Sequence, residues 1–494
     1  MIPIITLYLG IIPTHPYSLR TSSRRSGNCQ EVHGVDRKHP LNACNTSDPG
    51  PSIKRTCLSQ FKAINPYSSP KPIRTSLQST IEDLQQRISN GEDTPPIKNM
   101  KNIKEQNREY TRKIFLLLQN LPKEQLVRLM IDGDLLEKEG YQGYLDREPQ
   151  SIKQYAKAWN YACESILGES VSEISIDFLK KLHAKTFPLV TVEEGRVKGI
   201  PAPAGSFFHD YKTDIASKIN CKIQEAFMFF SLQGNYTLDG LSEAEQHRNN
   251  HYKMLGIPMP DEEKKMFYLE AVDAYQDNIL LDAEELKTIL LIKLKLDEVD
   301  KEGTTSRKQK QNVYNSLKEK DKKNILKNPD LYDYALGLSS NQYRLNTYGI
   351  SSEHQNAILE NIMSEFNLEL KKVSDLNSLL TILSTYIPQL LQVHPFYDAN
   401  GRVFYLLTQL LLISHGYPPM MMDNPNKLDM YDKESLKLEM KSAMQKTLSH
   451  SLSLINGTHE HKSWEAGEEA ERLCKELQPL LECLNATKIE ASFA

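Results

Sequence analysis

No excess of charge marks this chain of 494 residues: 60 basic against 64 acidic side chains leave a formal net charge of −4. A nucleic-acid-binding surface therefore has no global electrostatic support. Cysteine is sparse and unpatterned. The seven residues (Cys29, Cys44, Cys57, Cys163, Cys221, Cys474, Cys483) are odd in number and show no CxxC spacing. That excludes a disulfide framework and a structural zinc site of the usual cysteine type, and fits reduced thiols in a cytoplasmic compartment. Membrane-length apolar runs are missing too. The strongest near a terminus, IPIITLYLGII at residues 2–12, is too short for a membrane helix and lacks the positive region of a secretory signal before it. No integral membrane contact is expected. No repeat of 20–50 residues is visible, which sets aside solenoids.

What is present is helical pattern. Residues 1–75, rich in Ser, Pro, Arg and Asn, read as a disordered or tail segment. Residues 76–150 read as an N-terminal helical region: SLQSTIEDLQQRI, EYTRKIFLLLQNL and EQLVRLMIDGDLLEKEG place apolar residues at helical spacing. Residues 151–450 read as the main domain, with a large, mostly helical insertion at about 190–335, and residues 451–494 as a C-terminal helical tail. Within the insertion, the apolar run from Lys264 to Leu296 is expected to be helical. The nine basic residues of 301–328 are expected on a solvated face or loop. LNSLLTILSTYIPQLLQ (376–392) and RVFYLLTQLLLISHG (402–416) are apolar on most faces, which places both in the core, with Gly416 as a C-cap.

Between those two helices runs His394-Pro395-Phe396-Tyr397-Asp398-Ala399-Asn400-Gly401-Arg402. A polar loop that opens a helix faces a ligand with free N–H groups and partial positive charge, which suits phosphate. Asn400-Gly401 lets the backbone turn tightly and approach an anion. Arg402 adds a forked cation. Asp398 is a candidate Mg2+ ligand. His394 titrates near neutrality and is the candidate general base. Phe396 is expected to anchor the loop in the core. The blander reading, a helix-capping loop, requires no Asp followed by Asn-Gly-Arg at this spacing.

HPFYDANGR resembles the signature of the Fic (Fido) family, HPFx[D/E]GNGRxxR, with Ala399 where Gly is usual. Other segments agree in order. FLKKLH (178–183) resembles the family's helix before the flap. Tyr343-Arg344 in NQYRLNTYGI resembles its flap, with Gly195–Pro203 as an alternative registration. Gly416-Tyr417-Pro418-Pro419 resembles the turn that ends its following helix. The resemblance implies an all-α fold: a Fic-type helical core with a small β-hairpin flap, the insertion, and additional N- and C-terminal helices. It implies a transferase that moves AMP from ATP onto a Ser, Thr or Tyr hydroxyl of a target protein. His394 would be the base and Asp398 would hold Mg2+. Ala399, Asn400, Gly401 and Arg402 would form the cofactor-binding loop, and Tyr343, Arg344 and Asn346 would align the target.

The chain departs from the signature at its second arginine, which is Tyr405 here. In many members that arginine grips the cofactor phosphates and pairs with an inhibitory glutamate. Glu169, in Ser165-Ile166-Leu167-Gly168-Glu169-Ser170, is the candidate for that glutamate. Some members transfer phosphocholine from CDP-choline, or UMP from UTP, and these are the alternative activities. A phosphate-transferring branch with Ala before Asn has Lys next, so Gly401 argues against it. A non-catalytic scaffold with a degenerate site is the third reading. His183 and the pair His247/His251 read as packed or surface histidines rather than catalytic or metal-binding ones. Trp464 reads as a packing anchor. The run Glu465–Glu471 reads as a solvated helix, or as the secretion signal of an effector delivered into a host cell's cytoplasm.

Overall fold

The computed structural model describes residues 71–90, 100–148, 150–166, 173–186, 229–231, 236–260, 267–271, 279–281, 283–299, 307–340, 342–348, 350, 352–396, 399–482 and 484. Five helices come first: α1 (Lys71–Asn90), α2 (Met100–Asn120), α3 (Gly133–Arg147), α4 (Ser151–Ile166) and α5 (Ile176–Thr186). A short 3-10 helix, Lys123–Leu129, links α2 and α3. Next come α6 (Leu238–Leu255), α7 (Ala283–Val299), α8 (Arg307–Ser316), α9 (Glu319–Lys327) and α10 (Asp330–Ser339). The chain then returns through α11 (Ser352–Leu370), α12 (Leu376–Val393), α13 (Asn400–Ser414), the single turn α14 (Lys427–Met430), α15 (Lys433–Asn456) and α16 (Gly467–Glu476). The fold is all-α with one small antiparallel sheet. No described helix is long and apolar enough to cross a membrane.

The sheet is built differently from a self-contained hairpin. Its strands are β1 (Phe229–Ser231), β2 (Phe267–Ala271), β3 (Ile279–Leu281) and β4 (Tyr343–Tyr348), in the order β1-β4-β2-β3. The segment expected to be a flap supplies only β4, an inner strand, whose partners β1 and β2 come from residues 229–231 and 267–271. Tyr268 pairs with Asn346 and Glu270 with Arg344 across β2 and β4. This corrects the helical expectation for residues 267–271 and 279–281, while residues 283–296 are helical as expected. Phe267, Tyr268 and Leu269 are consecutive and all buried, the pattern of a strand covered on both faces, which apolar spacing does not separate from a short buried helix.

Two apolar clusters result. The main core joins α1–α5 with α11–α16, and includes Trp159, Phe366, Phe396, Phe404 and Trp464. The second joins α6–α10 with the sheet and Met430. The described part of the basic segment forms α8 and α9; Lys318, Lys320, Lys323 and Lys327 are exposed, and Val313, Leu317 and Ile325 are buried in this second cluster. The chain passes from one cluster to the other between Leu345 and Ile350.

Candidate active site

The loop 394–399 lies between two helices that have little freedom to move. α12 starts with a reciprocal cap: Asp375 Oδ1 accepts from the Ser378 N–H at 2.7 Å, and the Asp375 N–H donates to Ser378 Oγ at 3.1 Å. α13 has nearly every residue from Val403 to Ser414 buried, and packs against α2, α4, α5 and α12. At its far end Gly416 takes a left-handed φ of 75°, as the C-cap reading expects. The ends of the loop are thus carried by two largely buried helices of the main core.

His394 caps α12 with φ 51°, ψ 56°, and Ala399 caps α13 with φ 60°, ψ 14°. Both are left-handed and neither is glycine. For histidine this region is tolerated, but the following Pro395 narrows it further. For alanine it costs about 1–2 kcal/mol. The tight turn therefore falls at Ala399, where related signatures place glycine, and not at Asn400-Gly401. Gly401 is helical and exposed, and a methyl built on it would meet no atom within 4 Å. No described residue crowds the backbone at Gly401 in the first turn of α13.

Asn400 braces the loop. It is 2% exposed. Its Oδ1 accepts from the Phe396 N–H at 3.0 Å and its Nδ2 donates to the Phe396 carbonyl at 2.8 Å. This pair closes the loop into a ring, so the side chain is engaged with the protein, and the group Asn400 has left for an anion is its backbone N–H. The other end is held by Gln355 on α11, whose Nε2 donates to the carbonyls of Val393 and His394 at 2.7 and 2.9 Å. Phe396 is fully buried, as expected, and His183 of α5 stacks flat on its ring (centroids 4.1 Å apart, 3° between planes). His183 was expected only to pack; its link to the loop has no signature in spacing and appears only in three dimensions. His394 is half-buried, and Arg402 is partly exposed with its guanidinium 3.7 Å from Glu148, a pairing worth little at the surface.

Tyr405, at the position of the missing second arginine, is a core residue. It is 2% exposed, and its hydroxyl donates to the Met420 carbonyl at 2.9 Å. Burial drives its hydroxyl pKa far above the usual tyrosine value. The helix face that carries phosphate-gripping arginine in the signature is here turned to the protein.

Among the flap residues, Tyr343 leans edge-on against Tyr334 (centroids 5.9 Å, 85°) and lies tightly over Gly337 of α10. Asn346 is buried and donates to Glu270 Oε2 at 2.9 Å. Arg344 is the exposed one of the three. Asp398, Glu169 and Gly195–Pro203 lie outside the described residues. His247 and His251 are both lowered in pKa by burial, His251 to about 4, as packed histidines are. Trp464 is buried beneath Arg128.

No family model matches the chain. Over 91 residues it is 37% identical to the phosphocholine transferase AnkX of Legionella pneumophila. That stretch is 18% of this chain and 10% of AnkX, so the match spans about a tenth of the relative's length. Across it the chain is homologous to a transferase.

Proposed function

We propose that this chain is a Fic-type transferase that moves phosphocholine from CDP-choline onto a Ser, Thr or Tyr hydroxyl of a target protein. The likeness to a phosphocholine transferase carries this choice of group over AMP. Tyr405 supports it: with that side chain spent on Met420, the second arginine that would grip a triphosphate is replaced by a core residue. Ala399 supports it as well, since it departs from the usual glycine at the turn that shapes the anion loop.

In this reading His394 takes the proton of the target hydroxyl. The oxygen attacks the phosphorus that bears choline, the bridging P–O bond breaks, and CMP leaves with the electron pair. The N–H groups at the start of α13, with Arg402, receive the phosphate oxygens. Asp398 would hold Mg2+, which would supply positive charge against the phosphate. Ala399, Asn400 and Phe396 hold the loop rigid, and rigidity of the donors is what makes them effective in the transition state. Arg344, the exposed member of the three flap candidates, would meet the target. The target is then a protein of a cell into which the chain is delivered.

The test is parallel incubation of a host-cell lysate with choline-labelled CDP-choline and with α-phosphate-labelled ATP. Protein labelling from CDP-choline supports the reading. Labelling from ATP alone replaces it with AMP transfer, and labelling from neither leaves the scaffold reading.

A further inference from the structure

Away from the loop, the turn between α15 and α16 gathers three metal-binding side chains. His459 Nε2 lies 2.9 Å and His461 Nδ1 3.2 Å from the same oxygen, Oε2 of Glu465. All three ligand atoms fall within 4.8 Å of one another. In a tetrahedral zinc site, ligands at about 2.0–2.2 Å from the ion stand roughly 3.3–3.6 Å from each other. At 2.9 and 3.2 Å, two of the three spacings are direct contacts that open slightly as an ion replaces the imidazole protons, and His461, the exposed member, is the side chain that can adjust.

The carboxylate is prepared for an ion. The Glu465 side chain is fully buried, in a segment that sequence reading took for a solvated acidic run. Its Oε1 accepts from Arg128 at 2.9 Å, and the Lys462 N–H reaches Oε2 at 3.1 Å. Arg128 is in turn balanced by Glu137 at 2.8 Å, so its charge does not stand alone against a cation. Glu124 is electrostatically coupled to both Glu465 and His461 and adds negative potential. His450 stands edge-on to His459 (centroids 4.9 Å, 88°), and its Nε2 is 2.9 Å from Gln125 Oε1. Oriented outer partners of this kind are what ligating side chains have around them.

We propose that His459, His461 and Glu465 bind one divalent transition-metal ion, Zn2+ foremost, which closes the turn between α15 and α16 on the carboxylate that Arg128 already holds. Two imidazoles and one carboxylate suit zinc over Mg2+ or Ca2+. With three protein ligands, a water would complete the tetrahedron, which makes the site a structural clip with one exchangeable ligand.

The experiment uses the untagged full chain, stripped with chelator and titrated with Co2+ and Zn2+. The wild type should take up one Co2+ with the visible d–d band of a low-coordinate nitrogen–oxygen site, and Zn2+ should abolish the band while excess Mg2+ should not. His461→Ala removes an exposed ligand and spares the buried Glu465–Arg128 pair, so circular dichroism should be unchanged. Because outer-shell changes alone cost about 10–100-fold, loss of a ligand should weaken Zn2+ binding by more than about 100-fold. Zn2+ should raise the melting temperature of the wild type and not that of His461→Ala. A wild type with no band and no bound zinc overturns the proposal, as does a folded His461→Ala that binds zinc with wild-type affinity.

Discussion

Replacing Asn400 with Ala tests whether the loop is built as described. The change deletes a donor and an acceptor at a residue that is 2% exposed. It strands the Phe396 N–H and carbonyl, which Asn400 satisfies at 3.0 and 2.8 Å. Phe396 is itself fully buried, so water does not take over either group without opening the core. Each stranded buried group costs about 1–3 kcal/mol. Partial relaxation of the loop trims the sum to roughly 2–4 kcal/mol. Asn400→Asp keeps the acceptor for the Phe396 N–H but sets a carboxylate against the Phe396 carbonyl, so it should fall between Ala and wild type. Urea unfolding followed by circular dichroism, at matched slopes, measures all three. The reasoning is refuted if Asn400→Ala unfolds within about 0.5 kcal/mol of wild type, which is the scatter of an ordinary surface change.

Other consequences follow from the same geometry. Ala399→Gly relieves a left-handed alanine worth about 1–2 kcal/mol and adds glycine entropy of about 0.5–1, so it should be neutral to stabilising by about 1 kcal/mol with transfer intact; destabilisation would show that the turn is not at this residue. Gly337→Ala drives a methyl into the Tyr343 ring and should cost about 1–3 kcal/mol, largely recovered when Tyr343 is changed to Leu in the same chain; no effect would contradict that contact. His251, lowered to about 4 by burial and then by His247 and Arg248, is neutral in the folded chain while its unfolded counterpart protonates near 6.5. The unfolded state then binds more protons between those values, so stability falls with pH through 6.5 toward 4. The loss from pH 7.5 to 5 is about 2 kcal/mol. His251→Gln should remove that part of the slope, and an identical slope in both proteins would refute it.

Much of this arrangement was legible in residue order. The run His394–Arg402 between two apolar helices, Phe396 as an anchor and Gly416 as a cap are all where patterning and turn chemistry put them. What patterning could not reach were features set by tertiary contact. Phe267-Tyr268-Leu269 reads alike as buried strand or buried helix, and only pairing with β4 decides it. The carboxamide of Asn400 has donors and acceptors for an anion loop or for its own backbone, and the ring it closes with Phe396 is visible only in space. Tyr405 is recognisable in sequence as a missing arginine, but its bond to Met420 is not. Glu465 sits in an acidic run that suggests solvent, and it is buried because Arg128, 337 positions away in sequence, meets it there. The stack of His183 on Phe396 is likewise a long-range event with no local signal.

The central claim is that His394 activates a protein hydroxyl toward the phosphorus bearing choline. It is tested most directly by following choline-labelled CDP-choline into lysate protein with wild type and His394→Ala side by side. His394 caps α12 through its backbone, with its N–H donating to the Leu391 carbonyl at 3.0 Å, so the substitution should leave the helices in place by circular dichroism. Wild type should label protein, and His394→Ala should lower transfer by about 10²–10⁴-fold or more. Equal labelling by the two proteins, or label delivered only from ATP, would contradict it.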